Sequence, residues 1–400
     1  MIVIVNLTSC PDFWEWLIYY GSENVTATIH YSSYTFDTAK INVEYFKRFL
    51  KSQEFIRLLK EQVKGGIKTE IKPKHLLPLE IELPDIKKQE KIVSHFKSVE
   101  TEDNELKQEL THQQTLLKKL RQRILQEAIE GKLTAEWRQQ NPDVEPANEL
   151  LKRIAAQKKQ LIKEKKLKKG GATSKPVTSR EIKIPDNWSW CKADEIFFVT
   201  KLAGFEYSKH VKLSDTGEIP VIRAQNVRPF NIIKENLKYL DMETSILLTR
   251  CALIKPSLLV TFIGAGIGDV ALFDEAERWH LAPNVAKMEP FENCDHQLDL
   301  RYLNIYLQSK TGQQEIFKHI KATAQPSLSM GTIRDIDFPL PPISEQKAIV
   351  AKVKNLLALC DELETQITIT HSHAKQLMQA ILREAFSHSS DQQNQEAVNA

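Results

Sequence analysis

The 400-residue chain is poor in the patterns that mark secreted, metal-binding and membrane proteins. Its five cysteines are scattered at Cys10, Cys191, Cys251, Cys294 and Cys360, and none forms a Cys-x-x-Cys pair. Because zinc sites and disulfide frameworks need regularly spaced cysteines, we expect free thiols in a reducing cytoplasm. No apolar run is long enough to span a membrane, and the apolar start of the chain lacks a basic leader, so it predicts a strand.

The chain also lacks the motifs of common catalytic and nucleotide-binding sites. It contains no GxxxxGKS or GxxxxGKT phosphate loop, no GxSxG turn and no HExxH zinc motif. The tetrapeptide with which adenine amino-methyltransferases hold the extruded base, Asn or Asp before Pro-Pro-aromatic, is absent too. The glycines of 264–268 have the wrong spacing for a dinucleotide fingerprint and predict a tight β-turn. We therefore expect no catalytic residues, no metal and no cofactor in this chain.

What the chain does contain is a long heptad pattern that follows a proline. Apolar residues recur at alternating spacings of four and three, interrupted only by Asp103 and Gln113. Since a helix with such a seam cannot bury it alone, the pattern predicts a partner helix of similar length. The seam consists of Ile92, Phe96, Val99, Asp103, Leu106, Leu110, Gln113, Leu117, Leu120 and Ile124.

The same pattern recurs 257 residues further along the chain without a gap. One heptad helix could be any amphipathic helix, but two copies in register indicate one structural unit present twice. The match extends upstream of the helices, where Tyr45 aligns with Tyr302 and Ser52 with Ser309. The second seam consists of Ile349, Val353, Leu356, Cys360, Leu363, Ile367, Thr370, Ala374, Leu377 and Ile381.

The globular parts of the sequence combine strand and helix patterns. Short runs rich in β-branched residues predict strands at Ile219–Arg223, Leu258–Ile263 and Asp269–Phe273, and a helix is expected over Glu44–Gln62. Net charge is only +3, but lysines and arginines crowd the segment from Lys152 to Lys175. That segment could be a solvated helix face running into a loose linker, a phosphate-facing arm, or both.

Several segments resemble the specificity subunits of type I restriction–modification systems. The strongest is the proline–glutamine segment before the second heptad helix, which occurs in weaker form at 83–93. Pro326-Ser327-Leu328-Ser329-Met330 also resembles that family. The other matching segments are Leu340-Pro341-Pro342-Ile343-Ser344-Glu345-Gln346-Lys347-Ala348-Ile349-Val350, Pro185-Asp186-Asn187-Trp188-Ser189-Trp190 and Ile219-Pro220-Val221-Ile222-Arg223-Ala224-Gln225-Asn226-Val227.

The resemblance implies an α/β (α+β) fold with two target-recognition domains separated by two long antiparallel coiled-coil spacer helices. Each domain would read one half of a split site in double-stranded DNA. The spacer would dock two modification subunits, which bind S-adenosylmethionine, and restriction subunits, which use ATP and Mg²⁺, would join them. The alternatives are a coiled-coil adaptor that does not bind DNA and a silent recombination cassette; a methyltransferase or nuclease is poorly supported because its motifs are absent.

The domain boundaries follow from the repeat, and they depart from the family pattern in one respect. Only about 80 residues precede the first spacer, so we expect the front of the first recognition domain to be missing. The boundaries are 1–82 for this partial domain, 83–131 for the first spacer helix, 132–180 for a helical extension and basic linker, 181–339 for the second recognition domain, 340–387 for the second spacer helix and 388–400 for a disordered tail.

Candidate functional residues come from side-chain chemistry. Arg pairs with guanine, and Gln or Asn with adenine, through two hydrogen bonds, whereas Lys and Arg in loops contact phosphates. Base-reading candidates are Arg223, Gln225 and Asn226, with Asn284 and Gln325 as weaker ones; phosphate-binding candidates are Lys201, Lys209, Lys212, Arg228, Lys234 and Lys321. For spacer or partner packing we select Ile92, Phe96, Leu106, Leu110, Leu117, Leu120, Ile124, Ile349, Val353, Leu356, Leu363, Ile367, Leu377 and Ile381.

Overall fold

The structure is a computed structural model that describes residues 2–6, 16–19, 31–35, 37–62, 73–167, 182–264, 266–318 and 327–387. The chain forms two compact units, unit 1 with Met1–Thr115 and Leu363–Ala400, and unit 2 with Leu116–Glu362. Two long helices contribute to both units. The mixed helix-and-sheet fold with two long helices confirms the predicted fold class.

In its described residues, unit 1 contains a small antiparallel sheet and three short helices before the first long one. The strands β1 (Ile2–Asn6), β2 (Trp16–Tyr19) and β3 (Tyr31–Thr35) pair in the order β2-β1-β3. The predicted strand at the start of the chain is therefore confirmed. The helices are α1 (Val43–Phe49), α2 (Gln53–Gln62), α3 (Pro73–Leu76) and α4 (Ile86–Ile129).

The single helix predicted over Glu44–Gln62 is wrong, because the chain breaks it at Leu50–Ser52. Ser52 Oγ accepts a hydrogen bond from the backbone N–H of Phe55 at 3.2 Å. A serine hydroxyl that satisfies a free N–H group in this way starts a new helix, α2.

Aromatic rings fill the core of unit 1. Phe386, from the last turn of the long helix α13 (Ile343–Ser387), lies with its ring centroid 5.3 Å from Tyr45 and 5.7 Å from Phe49. It also stacks on the fully buried Phe96 of α4 at 5.9 Å. The end of α13 therefore packs against the beginning of α4 around one aromatic cluster.

Unit 2 is built on two four-stranded sheets. One pairs β10 (Ala252–Leu253), β13 (Trp279–Leu281), β6 (Ile219–Ile222) and β9 (Lys238–Leu240), in that order; the other pairs β12 (Val270–Phe273), β11 (Ser257–Thr261), β14 (Val285–Pro290) and β5 (Phe197–Lys201), also in that order. Two short ribbons are formed by β4 (Ser189–Lys192) with β15 (Asp337–Leu340) and by β7 (Val227–Arg228) with β8 (Asn231–Ile232). The three predicted strands are confirmed as β6, β11 and β12.

The two sheets share one apolar core. Ile222, Leu253 and Leu281 come from the first sheet, and Leu259 and Phe273 from the second, and all five are completely shielded from solvent. Burial of five such side chains contributes about 1.5–3 kcal/mol each toward folding, before the entropy of the chain is subtracted.

Helices cover the remaining faces of unit 2. They are α5 (Ala135–Gln140), α6 (Ala147–Lys163), α7 (Ala193–Ile196), α8 (Gly204–His210), α9 (Met242–Leu247), α10 (Leu300–Gln308), α11 (Lys310–Phe317) and α12 (Met330–Arg334). Two buried tyrosines of α10 hold it to β15: the Tyr302 hydroxyl donates to the Pro339 carbonyl and the Tyr306 hydroxyl to the Asp337 carbonyl, both at 2.6 Å.

The long helices run antiparallel, as the resemblance implies. In unit 2, Thr134 and Arg138, which directly follow α4, contact Glu345 in the first turn of α13 at 2.8 and 2.5 Å. Further along, Arg121 of α4 pairs with Asp361 of α13 at 2.6 Å. Each unit thus contains the end of one long helix beside the beginning of the other.

Each unit contains the same buried hydrogen-bonding arrangement, which we call the glutamine clasp. In unit 1 it consists of Gln89, which accepts from the backbone N–H of Asn42 at 2.8 Å and donates to the Pro84 carbonyl at 2.7 Å. In unit 2, Gln346 accepts from the N–H of Asp299 at 2.8 Å and donates to the Pro341 carbonyl at 2.9 Å. All three positions are related by the 257-residue offset. The clasp therefore explains the proline–glutamine segments and supports the internal repeat.

The structure buries much of the predicted seam but not all of it. Phe96, Leu110, Leu117, Ile124, Ile349, Val353 and Ile367 are buried, and Ile92, Leu106, Leu356 and Ile381 are half-buried. Leu120, Leu363 and Leu377 stay exposed, at 45%, 52% and 62%. A pair of helices covers only one narrow stripe of each surface, so apolar residues beside that stripe stay in solvent.

Candidate functional site

One end of the sheet β12-β11-β14-β5 brings several predicted site residues together. At this end β5 finishes at Lys201, β14 begins just after Asn284, and β11 runs into the turn 264–268. The N–H of Phe262 donates to the Asn284 carbonyl at 3.1 Å, which joins the ends of β11 and β14. The Lys201 ammonium lies 4.5 Å from the centroid of the Phe262 ring, a cation–π geometry.

The turn 264–268 closes the β11–β12 hairpin, as predicted from its glycines. Gly264, Gly266 and Gly268 have φ angles of 98°, 84° and 86°, a left-handed region that favours glycine. A side chain at Gly268 would also collide with the ring of Phe317, 2.4 Å away, whereas one at Gly264 would meet no atom of the described residues within 4 Å.

Arg228 lies next to this turn, and Gln225 precedes Arg228 by three residues in the chain. Arg228 donates from Nη1 to the Val227 carbonyl at 2.7 Å and lies 3.9 Å from the Asp269 carboxylate. Burial raises the pKa of Asp269 and the Arg228 charge opposes that rise. Gln225 is exposed in the short 3-10 helix before β7. We call Lys201 and Asn284 at this end of the sheet, Arg228 beside its turn and the exposed Gln225 the sheet-end cluster.

Asn226 is not part of the sheet-end cluster, because its side chain is completely buried. Its amide donates to the carbonyls of Ile233 at 2.9 Å and Glu235 at 3.3 Å, and its oxygen accepts from the N–H of Arg223 at 3.1 Å. These bonds leave the amide no capacity to read a base in this conformation. The structure therefore gives Asn226 a role in the fold and removes it from the base-reading candidates.

The remaining candidates occupy other positions. The Arg223 guanidinium donates from Nη2 to the Asn236 carbonyl at 2.5 Å, so part of its hydrogen-bonding capacity serves the fold. Lys209 lies in the last turn of α8 and Lys212 just after that helix. Lys234 pairs with Glu275 at 2.8 Å. Lys321 and Gln325 lie outside the described residues.

Sequence analysis missed two neighbours of the sheet-end cluster. Arg250 donates to the Lys201 carbonyl at 2.7 Å and to the Thr200 hydroxyl at 3.0 Å, and it also pairs with Glu206. Phe230 is 42% exposed in the turn of the β7–β8 ribbon. Arg250 had no local sequence signal, but Pro229 followed by Phe230, where a turn favours glycine or asparagine, was a detectable anomaly.

Two further features are absent from the described residues. Within them, no group of three or more His, Cys, Asp or Glu side chains is arranged to hold a metal ion. No helix in the described part of the chain is both long and apolar enough to cross a membrane.

Comparison with known proteins identifies the domain that carries the sheet-end cluster. Residues 185–370 match the family model of the type I restriction modification DNA specificity domain. The chain is 30% identical over 259 residues to the type I restriction enzyme EcoAI specificity subunit of Escherichia coli, a match that covers 61% of this chain and 40% of that protein. It is 26% identical over 287 residues to the EcoEI specificity subunit of Escherichia coli, covering 66% and 43%. The chain thus spans less than half the length of these two relatives.

Solved structures share the fold. A chain from a structural study of complex assembly and conformational transition of the type I R-M system superimposes with a TM-score of 0.62 at 14% identity, covering 96% of this chain and 81% of the other. The HsdS subunit from Thermoanaerobacter tengcongensis gives a TM-score of 0.50 at 14% identity, covering 96% and 80%. Residues 185–370 thus match the type I restriction modification DNA specificity domain, and the fold of the chain, with its two antiparallel helices, is similar to that of the two solved structures.

Proposed function

We propose that this chain is the sequence-reading, non-catalytic subunit of a type I restriction–modification complex. The observation that carries the proposal is the sheet-end cluster, where Lys201, Asn284 and Arg228 lie at or beside one end of a sheet, with the exposed Gln225 close to Arg228 in the chain, in the domain matched by the specificity-domain model. Lysine and arginine suit phosphates, and exposed glutamine and asparagine suit base edges. S-adenosylmethionine, ATP and Mg²⁺ would be held by partner subunits.

Within the sheet-end cluster we assign different roles to Gln225 and Lys201. Gln225 would read a base, so Gln225→Ala should weaken binding of the recognised half-site by about 10- to 100-fold and relax selectivity at one position. Lys201 would contact a phosphate, so Lys201→Gln should weaken binding to all duplexes alike and reduce the salt dependence by about one phosphate. Binding titrations at several salt concentrations separate the two roles.

Two exposed leucines support the proposed docking of two modification subunits. Leu120 in α4 and Leu377 in α13 are related by the 257-residue offset, and both are exposed, at 45% and 62%. Apolar side chains held at equivalent positions of a repeat offer the same contact twice, which suits two copies of one partner. We therefore propose that each leucine contacts one modification subunit.

The docking proposal is tested by Leu120→Asp and Leu377→Asp in complexes co-expressed with the modification subunit. Each single variant should lose one modification subunit and the double variant both, measured as particle mass. Leu247→Asp, which places the same charge on the exposed surface of α9, is the matched control and should retain both. Full assembly of the double variant would contradict the proposal.

The proposed DNA specificity is tested by mapping methylated adenine across a genome. The chain is co-expressed with its modification subunit in a host without other adenine methylases. An asymmetric split motif would indicate two working recognition units, and a palindromic split motif would indicate two copies that each use unit 2. Loss of methylation at those sites in Gln225→Ala would link unit 2 to the motif. If the wild-type complex shows neither methylation nor selective DNA binding, the adaptor or silent-cassette interpretation is favoured.

A further inference from the structure

The β7–β8 ribbon ends in a turn with an unusual residue. Pro229 and Phe230 form the turn between Arg228 and Asn231, which are paired across the ribbon. Phe230 has a φ of 63°, in the left-handed region that glycine and asparagine adopt without strain and that a bulky residue avoids. Its ring is nevertheless 42% exposed, so the strain is not explained by burial in the core.

The backbone of this turn is fixed from both sides. The Phe230 N–H donates to the Val270 carbonyl at 3.1 Å, which attaches the turn to the edge strand β12. The N–H of Ile233 donates to the Asn226 carbonyl at 2.7 Å, and the buried Asn226 amide returns a bond to the Ile233 carbonyl. The ring therefore projects from a rigid support, and the hydrogen bonds that hold the turn use only backbone atoms of Phe230.

Phe230 shares its short ribbon with an arginine. Arg228, two residues earlier in the chain, lies beside the glycine turn and 3.9 Å from the Asp269 carboxylate, which balances only part of the guanidinium's hydrogen-bonding capacity. An exposed ring and an arginine on the same ribbon suit a ligand that is flat, apolar at its faces and bordered by negative charge.

We infer that Phe230 is the apolar base-contacting residue of unit 2, with its ring placed against the bases of the DNA half-site that unit 2 recognises. The inference rests on the proposed function and deepens it. Bases offer the flat faces and thymine methyl groups that aromatic side chains contact, while Arg228 faces the phosphates beside them. The strained aromatic residue in this exposed turn then has an explanation in DNA binding, because folding alone would favour glycine or asparagine at the position.

The test compares Phe230→Gly with the wild-type chain, each purified with the modification subunit. Glycine relieves the strained φ but removes the packed part of the ring, so the temperature of thermal unfolding should change by no more than roughly 2–4 °C. Loss of the ring should at the same time weaken binding to the duplex that carries the mapped target by about 10- to 100-fold, with little change on an unrelated duplex. Phe230→Asn, which also tolerates the φ angle, should behave similarly.

The matched control is Asn293→Gly. Asn293 has a φ of 68° and follows the opposite end of β14 from Asn284, so its replacement makes the same type of backbone change away from the sheet-end cluster. This variant should bind both duplexes as the wild type does. Unchanged target binding by Phe230→Gly, or an equal loss on both duplexes, would overturn the inference while leaving the proposed function intact. Absence of selective binding by the wild-type complex would overturn both.

Discussion

The glutamine clasp is the same in the two units, but the residue before the glutamine differs. In unit 2 it is Glu345, whose fully buried carboxylate accepts hydrogen bonds from Thr134, Arg138, Trp188 and Asn187. In unit 1 the equivalent residue is Lys88, which is exposed. The repeat therefore positions the start of each long helix identically, and only unit 2 adds a buried carboxylate that ties this helix to two further segments of its domain.

A second difference concerns how the first helix of each repeat is anchored. Arg48 of α1 is buried and pairs with Glu44 at 2.9 Å and with Glu100 of α4. Unit 2 has Ile305 and Leu357 at the positions equivalent to Arg48 and Glu100. At these two positions unit 1 has charged side chains and unit 2 has apolar ones. The clasp is therefore the same in both units, although the side chains around it differ.

The largest expected effect is that of Glu345→Ala. Removal of this carboxylate leaves the Arg138 guanidinium and the Trp188 N–H without their buried partner, which costs about 3–5 kcal/mol. Hydrogen exchange should rise in peptides that cover 132–140 and 182–192. The equivalent Lys88→Ala should change stability by no more than about 0.5 kcal/mol, because Lys88 is a surface residue. Similar effects of the two variants would contradict the contrast between the units.

A smaller effect, of similar size in the two units, is expected from Gln89→Leu and Gln346→Leu. Each leaves one backbone N–H, of Asn42 or of Asp299, and one proline carbonyl without the side chain that satisfies it, and Gln89→Leu also removes the 2.9 Å hydrogen bond to the Lys40 carbonyl. An unsatisfied buried group costs about 1–3 kcal/mol. Hydrogen exchange of the backbone amides in the first turns of α1 and α10 measures the loss of stability in each unit. A marked inequality between the variants would show that the clasp is shared in geometry but not in energy.

The architecture was largely predictable from sequence because the spacing of apolar residues and the internal repeat both indicate it. The heptads located α4 and α13 within three residues of their observed starts, and the 257-residue offset paired the prolines and glutamines of the two clasps. Both signals are local and repeated. The seam was less accurate because the same heptad contains buried Leu117 and exposed Leu120, and only the packing decides which leucine faces the partner helix.

The sheet-end cluster was only partly predictable. Residue type selected Lys201, Gln225, Arg228 and Asn284, but it also selected Asn226, whose amide satisfies backbone carbonyls. The fold places these residues together through strand pairings between segments far apart in sequence, such as Lys201 opposite Ala286. Such pairings leave no signal at a single position, so chemistry alone cannot separate a binding amide from a structural one.

A double substitution can give unit 1 apolar side chains at the two positions where unit 2 has them. Arg48→Met alone should destabilise unit 1 by about 1–3 kcal/mol, because Glu100 loses its buried partner. Adding Glu100→Leu should restore stability to within about 1 kcal/mol of wild type, since well-packed apolar residues often replace a buried ion pair without loss. Hydrogen exchange of the backbone amides in α1 measures the stability of unit 1 in each variant. If the second substitution gives no recovery, the charges of unit 1 have a role that the apolar pair cannot fill.

The units should also differ in their response to acid. His280 of unit 2 is completely buried, with Nδ1 3.0 Å from the Leu281 carbonyl, and burial lowers its pKa below 6.5 while nearby carbonyls oppose the shift. The folded state therefore keeps the imidazole neutral where the unfolded state takes up a proton. Its contribution to stability is complete above about pH 6.5 and is lost as the pH falls toward the lowered folded pKa. Exchange in unit 2 should rise between pH 7.5 and 5.5, after correction for intrinsic exchange rates, and His280→Gln should reduce that rise.

Unit 1 is the internal control for this acid response, because its histidines His95, His112, His371 and His373 are all exposed. Among the histidines of unit 1 whose exposure the structure describes, none is buried as His280 is, and burial is the cause of the response in unit 2. Unit 1 peptides should therefore show the smaller corrected change over the same range, in wild type and His280→Gln alike. An equal rise in both units, unaffected by His280→Gln, would assign the acid response to carboxylates common to the two units and remove His280 as its source.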